Sequence, residues 1–299
     1  MESMFKSSFR SFLDTSYIDF VEYGNTFVFP DYEFQVQIVP AGQTVCTNVN
    51  TSSADGTNST ADGALILPDI VYLYEDRWWG AKEMVQERIL ARLERFTSVF
   101  ARKCKVLSGR GNAAMPDIVN DFLRKHHTYS TAKCRYRYAL EYEGQIVAVA
   151  TFSEGRPMVR KIDEPLMNVP KEEQEDASIL IFDSYEWIRY ASLPGVRVVG
   201  GMGRLLKAFI EERYSRIEPG TPLEVMTYSD TEWGNGEVYE KLGFKYAGSR
   251  PPVKYFVNRH TYVRLSERLY EKELLAGALP FDFYIIENLG SRKFLLQLL

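Results

Sequence analysis

Hydrophobic positions along this chain keep two rhythms, one near 3.6 residues and one of two, and their succession predicts the elements. From Phe5 to Phe20 the rhythm is helical, giving a short amphipathic piece. Asn25-Thr-Phe-Val-Phe29 and Phe34-Gln-Val-Gln-Ile-Val39 are aromatic and β-branched, and the second alternates, which predicts strands. Thr47 to Gly63 is crowded with Ser, Thr, Asn, Asp and Gly and reads as a mobile loop. Leu65 to Leu73 follows as a strand. Glu83 to Phe100 spaces Val85, Ile89, Leu93 and Phe96 as one helical face. Pro116 suits the first turn of a helix from Met115 to His126, on which Ile118, Phe122 and Leu123 share a side.

From Tyr136 the period shortens. Arg137 to Tyr142, a turn at Glu143-Gly144, and Gln145 to Phe152 predict a β-hairpin. Asp163 to Asp176 is acidic and holds prolines, as a surface loop does. Ile179 to Leu193 predicts an irregular strand, residues 203–215 a helix, and Pro222 to Tyr228 a strand. Val253 to Val257 and Tyr262 to Leu265 add β structure, and Ser266 to Leu274 a short helix. Strands and helices in this order predict an α/β (α+β) fold, with a central mixed sheet flanked by helices and an N-terminal extension. The boundaries expected are an extension over 1–62, a helical region over 63–130 packing on the core, and a main domain over 131–299 with a C-terminal tail.

Composition narrows the classes. Of 299 residues, 45% are hydrophobic and 25% charged, as in a water-soluble globular protein with a sizeable core. No run approaches the length of a membrane span, and the N-terminus has no apolar signal core, so a cytoplasmic protein is expected. In that compartment the sequons at Asn50 and Asn58 carry no meaning. Three cysteines, Cys46, Cys104 and Cys134, are scattered as in a reducing compartment, and no metal-ligand spacing appears. The net charge of −4 is unevenly spread: ten Lys/Arg face two acids between Arg95 and Arg137, a segment suited to an anionic partner or to a solvated face.

The most chemical stretch is Val198-Val199-Gly200-Gly201-Met202-Gly203, running straight into the helical Arg204-Leu-Leu-Lys-Ala-Phe-Ile210. Glycines let the backbone approach a ligand, and a helix starting there directs amides and its positive dipole end at a phosphate. Further on stands Asn235-x-x-x-Tyr239-x-x-x-Gly243-Phe244.

Over about 132–250 this order of hairpin, strand, glycine turn with helix, strand and Tyr-bearing helix resembles the GNAT N-acetyltransferase superfamily. In that family a Q/R-x-x-G-x-G/A turn binds the acyl-CoA pyrophosphate. The matching positions are Val198, Gly201 and Gly203, with Val198 where the family carries a basic or amide residue and Arg197 one place earlier. A narrower likeness is to the GNAT-like C-terminal module of phage-type homing endonucleases. It rests on Tyr74-Glu-Asp-Arg-Trp78, Phe100-Ala-Arg-Lys-Cys104, Phe122-Leu-Arg-Lys-His-His127, Glu186-Trp-Ile-Arg189 and Asn288-Leu-Gly-Ser-Arg-Lys-Phe294, without a nuclease metal site in residues 1–70.

The resemblance implies an acyl-CoA-dependent N-acyltransferase acting by direct attack of an amine on the thioester, with acetyl-CoA or another acyl-CoA as co-substrate and no metal. It implies Val198, Val199, Gly200, Gly201, Met202, Gly203 and Arg204 at the pyrophosphate, Ser192 and Leu193 along the pantetheine arm, and Asn235 touching that arm. Tyr239 is implied as general acid and Glu186 as general base, with Asp183 the second choice. An acyl carrier protein is a variant donor, drawn by the basic segment. The competing reading is an inactive module binding nucleic acid through 95–137, with phosphate contacts from Arg102, Lys103, Lys105, Lys133, Arg135 and Arg137. Arg189 suits a structural role or the neutralising of a carboxylate or phosphate. His126 and His127 point apart on a helix and cannot share one ion. Cys134 has no histidine in reach, and Trp78-Trp79 is read as core before pocket cap.

Overall fold

Alternation is strongest where the sheet is deepest. In Tyr136–Tyr142 and Gln145–Phe152, Tyr138, Leu140, Ala148, Ala150 and Phe152 pack to one side, and Ala139 and Val149 to the other. Both faces of this hairpin are therefore covered, and each has its own helix. The computed structural model describes residues 3–43, 45, 69–161, 179–217, 221–277 and 282–298. They form two compact units, one of residues 1–95, 229–237 and 249–292, the other of 96–228, 238–248 and 293–299.

In the first unit the helix Met4–Thr15, N-capped by Ser3, buries Phe5, Phe9, Phe12 and Leu13. They meet Phe27, Phe29 and Phe34 of a sheet ordered Val21–Tyr23, Thr26–Phe29, Phe34–Val39, Asp69–Tyr74, and Trp78, Val85 and Ile89 of the helices Glu75–Gly80 and Lys82–Arg92. A three-stranded sheet sets Lys254–Asn258 between Arg264–Ser266 and Phe283–Glu287, beside the helix Glu267–Leu275.

The second unit is built on an eight-stranded mixed sheet. Its order is Lys245–Arg250, Ser291–Leu298, Leu223–Asp230, Ile179–Ser192, Gln145–Phe152, Tyr136–Tyr142, Lys105–Ser108, with Arg156–Lys161 also paired to Ile179–Ser192. One face carries the helix Gly201–Tyr214 through Leu205, Leu206 and Phe209. The other carries Met115–His126 through Met115, Val119, Phe122 and Leu123. The expected mixed sheet flanked by helices is what forms.

Several expectations change in detail. The helix expected over 83–100 ends at Arg92. Glu94 turns the chain with φ 56°, and Thr97–Phe100, rich in β-branched residues, becomes a strand parallel to Val196–Val199. Ahead of the expected acidic loop the chain forms a further strand, Arg156–Lys161, antiparallel to Ile179–Ser192. The glycine-turn helix starts at Gly201, not 203. Val85 and Ile89 enter the same core as Phe5 and Phe9, within the unit that holds residues 1–95. Thr47 to Gly63, Cys46, Asn50, Asn58, the first residues of the strand expected from Leu65, and the acidic stretch 163–176 lie outside the described residues.

Candidate functional site

Gly200 precedes the helix Gly201–Tyr214 with φ 76° and ψ 8°, a left-handed conformation that a side chain resists. No side chain caps this end. The amides of Gly201, Met202 and Gly203 are thus the first-turn donors that a helix leaves without partners of its own. A Cβ on Gly201 would lie 2.9 Å from the Tyr190 hydroxyl and 3.0 Å from Val198 Cβ. The missing side chain is what lets the strand and the helix start come this close.

Beside the turn opens a cleft of about 360 Å³ lined by Phe100, Ala101, Arg102, Val199, Gly200, Gly203, Arg204 and Lys207. Four of the expected ligand residues, Val199, Gly200, Gly203 and Arg204, border it; Val198 is buried in the core and Met202 packs against that core. Arg204 donates to the Cys104 carbonyl at 3.2 Å, and its buried Nε has no partner among the described residues. Arg102 and Lys207 complete a set of three cations. Lys207, four residues beyond Gly203, was legible as the same helix face. Arg102 was not, since only the pairing of Thr97–Phe100 with Val196–Val199 brings it to the turn. Arg197, the apparent stand-in for the missing basic position, lies over the Phe96 ring at 5.0 Å and does not line the cleft.

The strand Ile179–Ser192 is the centre of the arrangement. It pairs in parallel with Leu223–Asp230 only over Asp183–Glu186. A bulge between Trp187 and Arg189 then turns it along Gln145–Phe152, to Ser192 against Ala148, with the Leu193 amide donating to the Val147 carbonyl at 2.9 Å. Beyond Glu186 no rung joins the two parallel strands among the described residues, so they fork. The Thr227 hydroxyl donates to the Trp187 carbonyl at 3.1 Å in the fork.

Tyr239 sits on the glycine-turn side of this fork. Its ring meets Trp187 at 6.0 Å, Phe244 at 5.8 Å and Phe294 at 5.5 Å, and its hydroxyl is hydrogen-bonded with Thr227. Burial raises its pKa above the ordinary phenol value, so it is a proton holder at neutral pH. Tyr190 is raised too, by burial above all. Glu186 occupies the last paired rung. Tyr185 and Trp187, on either side of it, enter the core under Phe209, so the pleat turns Glu186 to the opposite face. Its amide donates to Ser153 Oγ at 2.8 Å. Asp183 points to the Tyr185 side, where the Tyr185 hydroxyl donates to it at 3.5 Å.

Other candidates have local partners in the fold. The Asn235 side chain donates to Glu237 at 2.6 Å and accepts from the Glu237 amide, capping the helix Glu237–Glu240. His126 packs edge-on to Phe122, and His127 Nδ1 accepts from the Tyr129 amide. Trp78 is core with Phe5 and Phe9, and Trp79 donates to Glu75. Among the described residues no group of His, Cys, Asp and Glu is placed to hold a metal ion, and no helix is long and apolar enough to cross a membrane.

No family model matches the chain, and no curated protein does. Solved structures that match include a GNAT family acetyltransferase from Elizabethkingia anophelis with acetyl-CoA bound, at 12% identity over 66% of this chain and 99% of that one, TM-score 0.34. An N-acetyltransferase from Staphylococcus aureus matches at 14% identity over 64% and 98%, TM-score 0.30. A polyamine N-acetyltransferase from Drosophila melanogaster matches at 13% identity over 60% and 79%, TM-score 0.26. TM-scores this low carry no argument about this chain, and the functional reading rests on its own geometry.

Proposed function

We propose that this chain is an acyl-CoA-dependent N-acyltransferase of GNAT type, transferring an acetyl group to an amine. The observation that carries the reading is the fork between Ile179–Ser192 and Leu223–Asp230, opening beside an uncapped helix start with three cations. The amides of Gly201, Met202 and Gly203, with Arg102, Arg204 and Lys207, would hold the pyrophosphate. The backbone of residues 190–192, which among the described residues has no strand partner on the fork side, offers donors and acceptors to an extended arm such as pantetheine. The thioester then lies in the fork, with Tyr239 on one face and Glu186 on the other. An amine entering from the Glu186 side loses a proton to that carboxylate as nitrogen bonds to the acyl carbon. The thiolate leaves with the proton of Tyr239. Acetyl-CoA is the natural donor; an acyl carrier protein is the variant.

The nucleic-acid reading is disfavoured by the division of its basic residues. Arg102 lines the cleft by the glycine turn, while Arg137 faces the opposite side of the sheet. The likeness to the homing-endonuclease module rests on sequence phrases alone. The first test is a thermal-shift titration with CoA and acetyl-CoA at low and moderate salt. A saturable rise supports the reading through mass-action linkage, and Arg102→Ala and Lys207→Ala should each weaken it about tenfold. No shift with any acyl-CoA, with a salt-sensitive shift on added RNA or DNA, overturns it.

A further inference from the structure

Strand pairing sets three side chains in a row on the sheet face away from the glycine-turn helix. Arg137 pairs with Thr151, and Thr151 with Arg189. Residues directly opposite in antiparallel strands project to the same side. The next rung down, Ala139, Val149 and Ala191, packs with Met115–His126 and identifies that side. The two arginine backbones are about 10 Å apart, two strand spacings, within reach of one small anion between their guanidinium arms. Thr151 at the centre is buried.

Neither arginine closes a salt bridge with a carboxylate among the described residues. Arg189 donates to the carbonyls of Ser130 at 3.4 Å and Ile188 at 2.9 Å, and its guanidinium lies 5.7 Å from the Tyr129 ring. Arg137 contacts the Cys134 thiol, while its buried Nε has no partner among the described residues. Glu186, on the same face, is near enough to act on the charge of Arg189, which burial pulls below its ordinary pKa. Among the described residues that leaves two guanidinium groups to one carboxylate, an excess of positive charge in a half-buried place. Such an excess costs free energy unless an anion answers it.

We propose that Arg137 and Arg189 bind an oxyanion group, a carboxylate or phosphate monoester, carried by the amine that is acylated. The acceptor is then an amino acid, peptide or aminoalkyl phosphate, with its amine at Glu186 and its anion on the two arginines. The anion site stands on the strand pairing, and its link to acyl transfer rests on the function proposed above. Planar guanidinium groups meet either oxyanion bidentately, which lysine cannot do.

The test compares initial rates with acetyl-CoA on amino acids, on the matching amino-acid amides, on phosphoethanolamine and on ethanolamine. The anionic acceptors should exceed their neutral counterparts in kcat/KM by at least about tenfold. The better of the two anionic classes identifies the group. Arg189→Lys and Arg137→Gln should raise KM for the anionic acceptor about tenfold and leave KM for acetyl-CoA unchanged. Equal rates on acids and amides together with equal rates on phosphoethanolamine and ethanolamine overturn the site, and that wild-type comparison decides even if a variant fails to fold. Calorimetry with CoA runs alongside. If CoA does not bind, the acyltransferase reading falls by itself; amino acid or phosphoethanolamine binding that weakens in Arg189→Lys then upholds the anion site, and its absence overturns it.

Discussion

Tyr239 keeps its proton because burial outweighs the pull of Thr227 on its hydroxyl. As the acid for the leaving thiolate it must be a phenol, so Tyr239→Phe should lower kcat by about 100-fold or more while the CoA thermal shift persists. Its raised pKa fixes the sign of the pH response. The protonated, active form survives past the ordinary phenol value of 10.0, and any loss through this group comes only above it. A kcat profile that falls between pH 7 and 9, and does so in Tyr239→Phe as well, would assign the limb elsewhere. Gly201 is a test of space. In Gly201→Ala the new Cβ meets the Tyr190 hydroxyl at 2.9 Å and Val198 at 3.0 Å, so stability should drop by about 1–3 kcal/mol in urea unfolding.

The helix Gly201–Tyr214 presents its first turn correctly only if its middle is held down, and Phe209 holds it. The Phe209 ring stacks on Phe152 at 4.0 Å with 4° between planes, and meets Tyr185 edge-on at 5.3 Å. Phe209→Ala should cost about 3–5 kcal/mol in urea unfolding, and the surviving folded protein should bind CoA more weakly. Phe209→Leu, which keeps most of the volume, should do less of both. An unchanged unfolding midpoint in Phe209→Ala would mean that this stack does not position the helix.

Across the whole molecule, chain order and spatial order part company. The first unit is assembled from residues 1–95, 229–237 and 249–292. A buried ion cluster ties those three segments: Arg264 bonds Asp76 at 2.5 Å and Glu232 at 2.8 Å, all nearly without solvent. Arg264→Ala would leave two buried carboxylates facing each other and should cost about 3–5 kcal/mol. Equilibrium unfolding measures this, and a loss below about 1 kcal/mol would show the cluster to be dispensable. The same division predicts that residues 1–95 alone stay unfolded by circular dichroism, since they lack the strands and the arginine that complete their unit.

Local chemistry was enough for the elements whose rhythm and punctuation agree. The helix Met115–His126 begins where Pro116 predicts, the hairpin turns at Glu143-Gly144 with both φ positive, and the glycine turn opens a helix. These depend on backbone sterics and on which face is apolar, and both are written in neighbouring residues. The strands Lys105–Ser108, Val196–Val199 and Ser291–Leu298 carry no such mark, because each is stabilised by a partner far along the chain. For the same reason the cations of the cleft, the side to which Glu186 turns, and the meeting of Arg137 with Arg189 across Thr151 could not be read locally. A side chain's type is local, but its neighbours are set by strand register, and register is decided only when the two cores close.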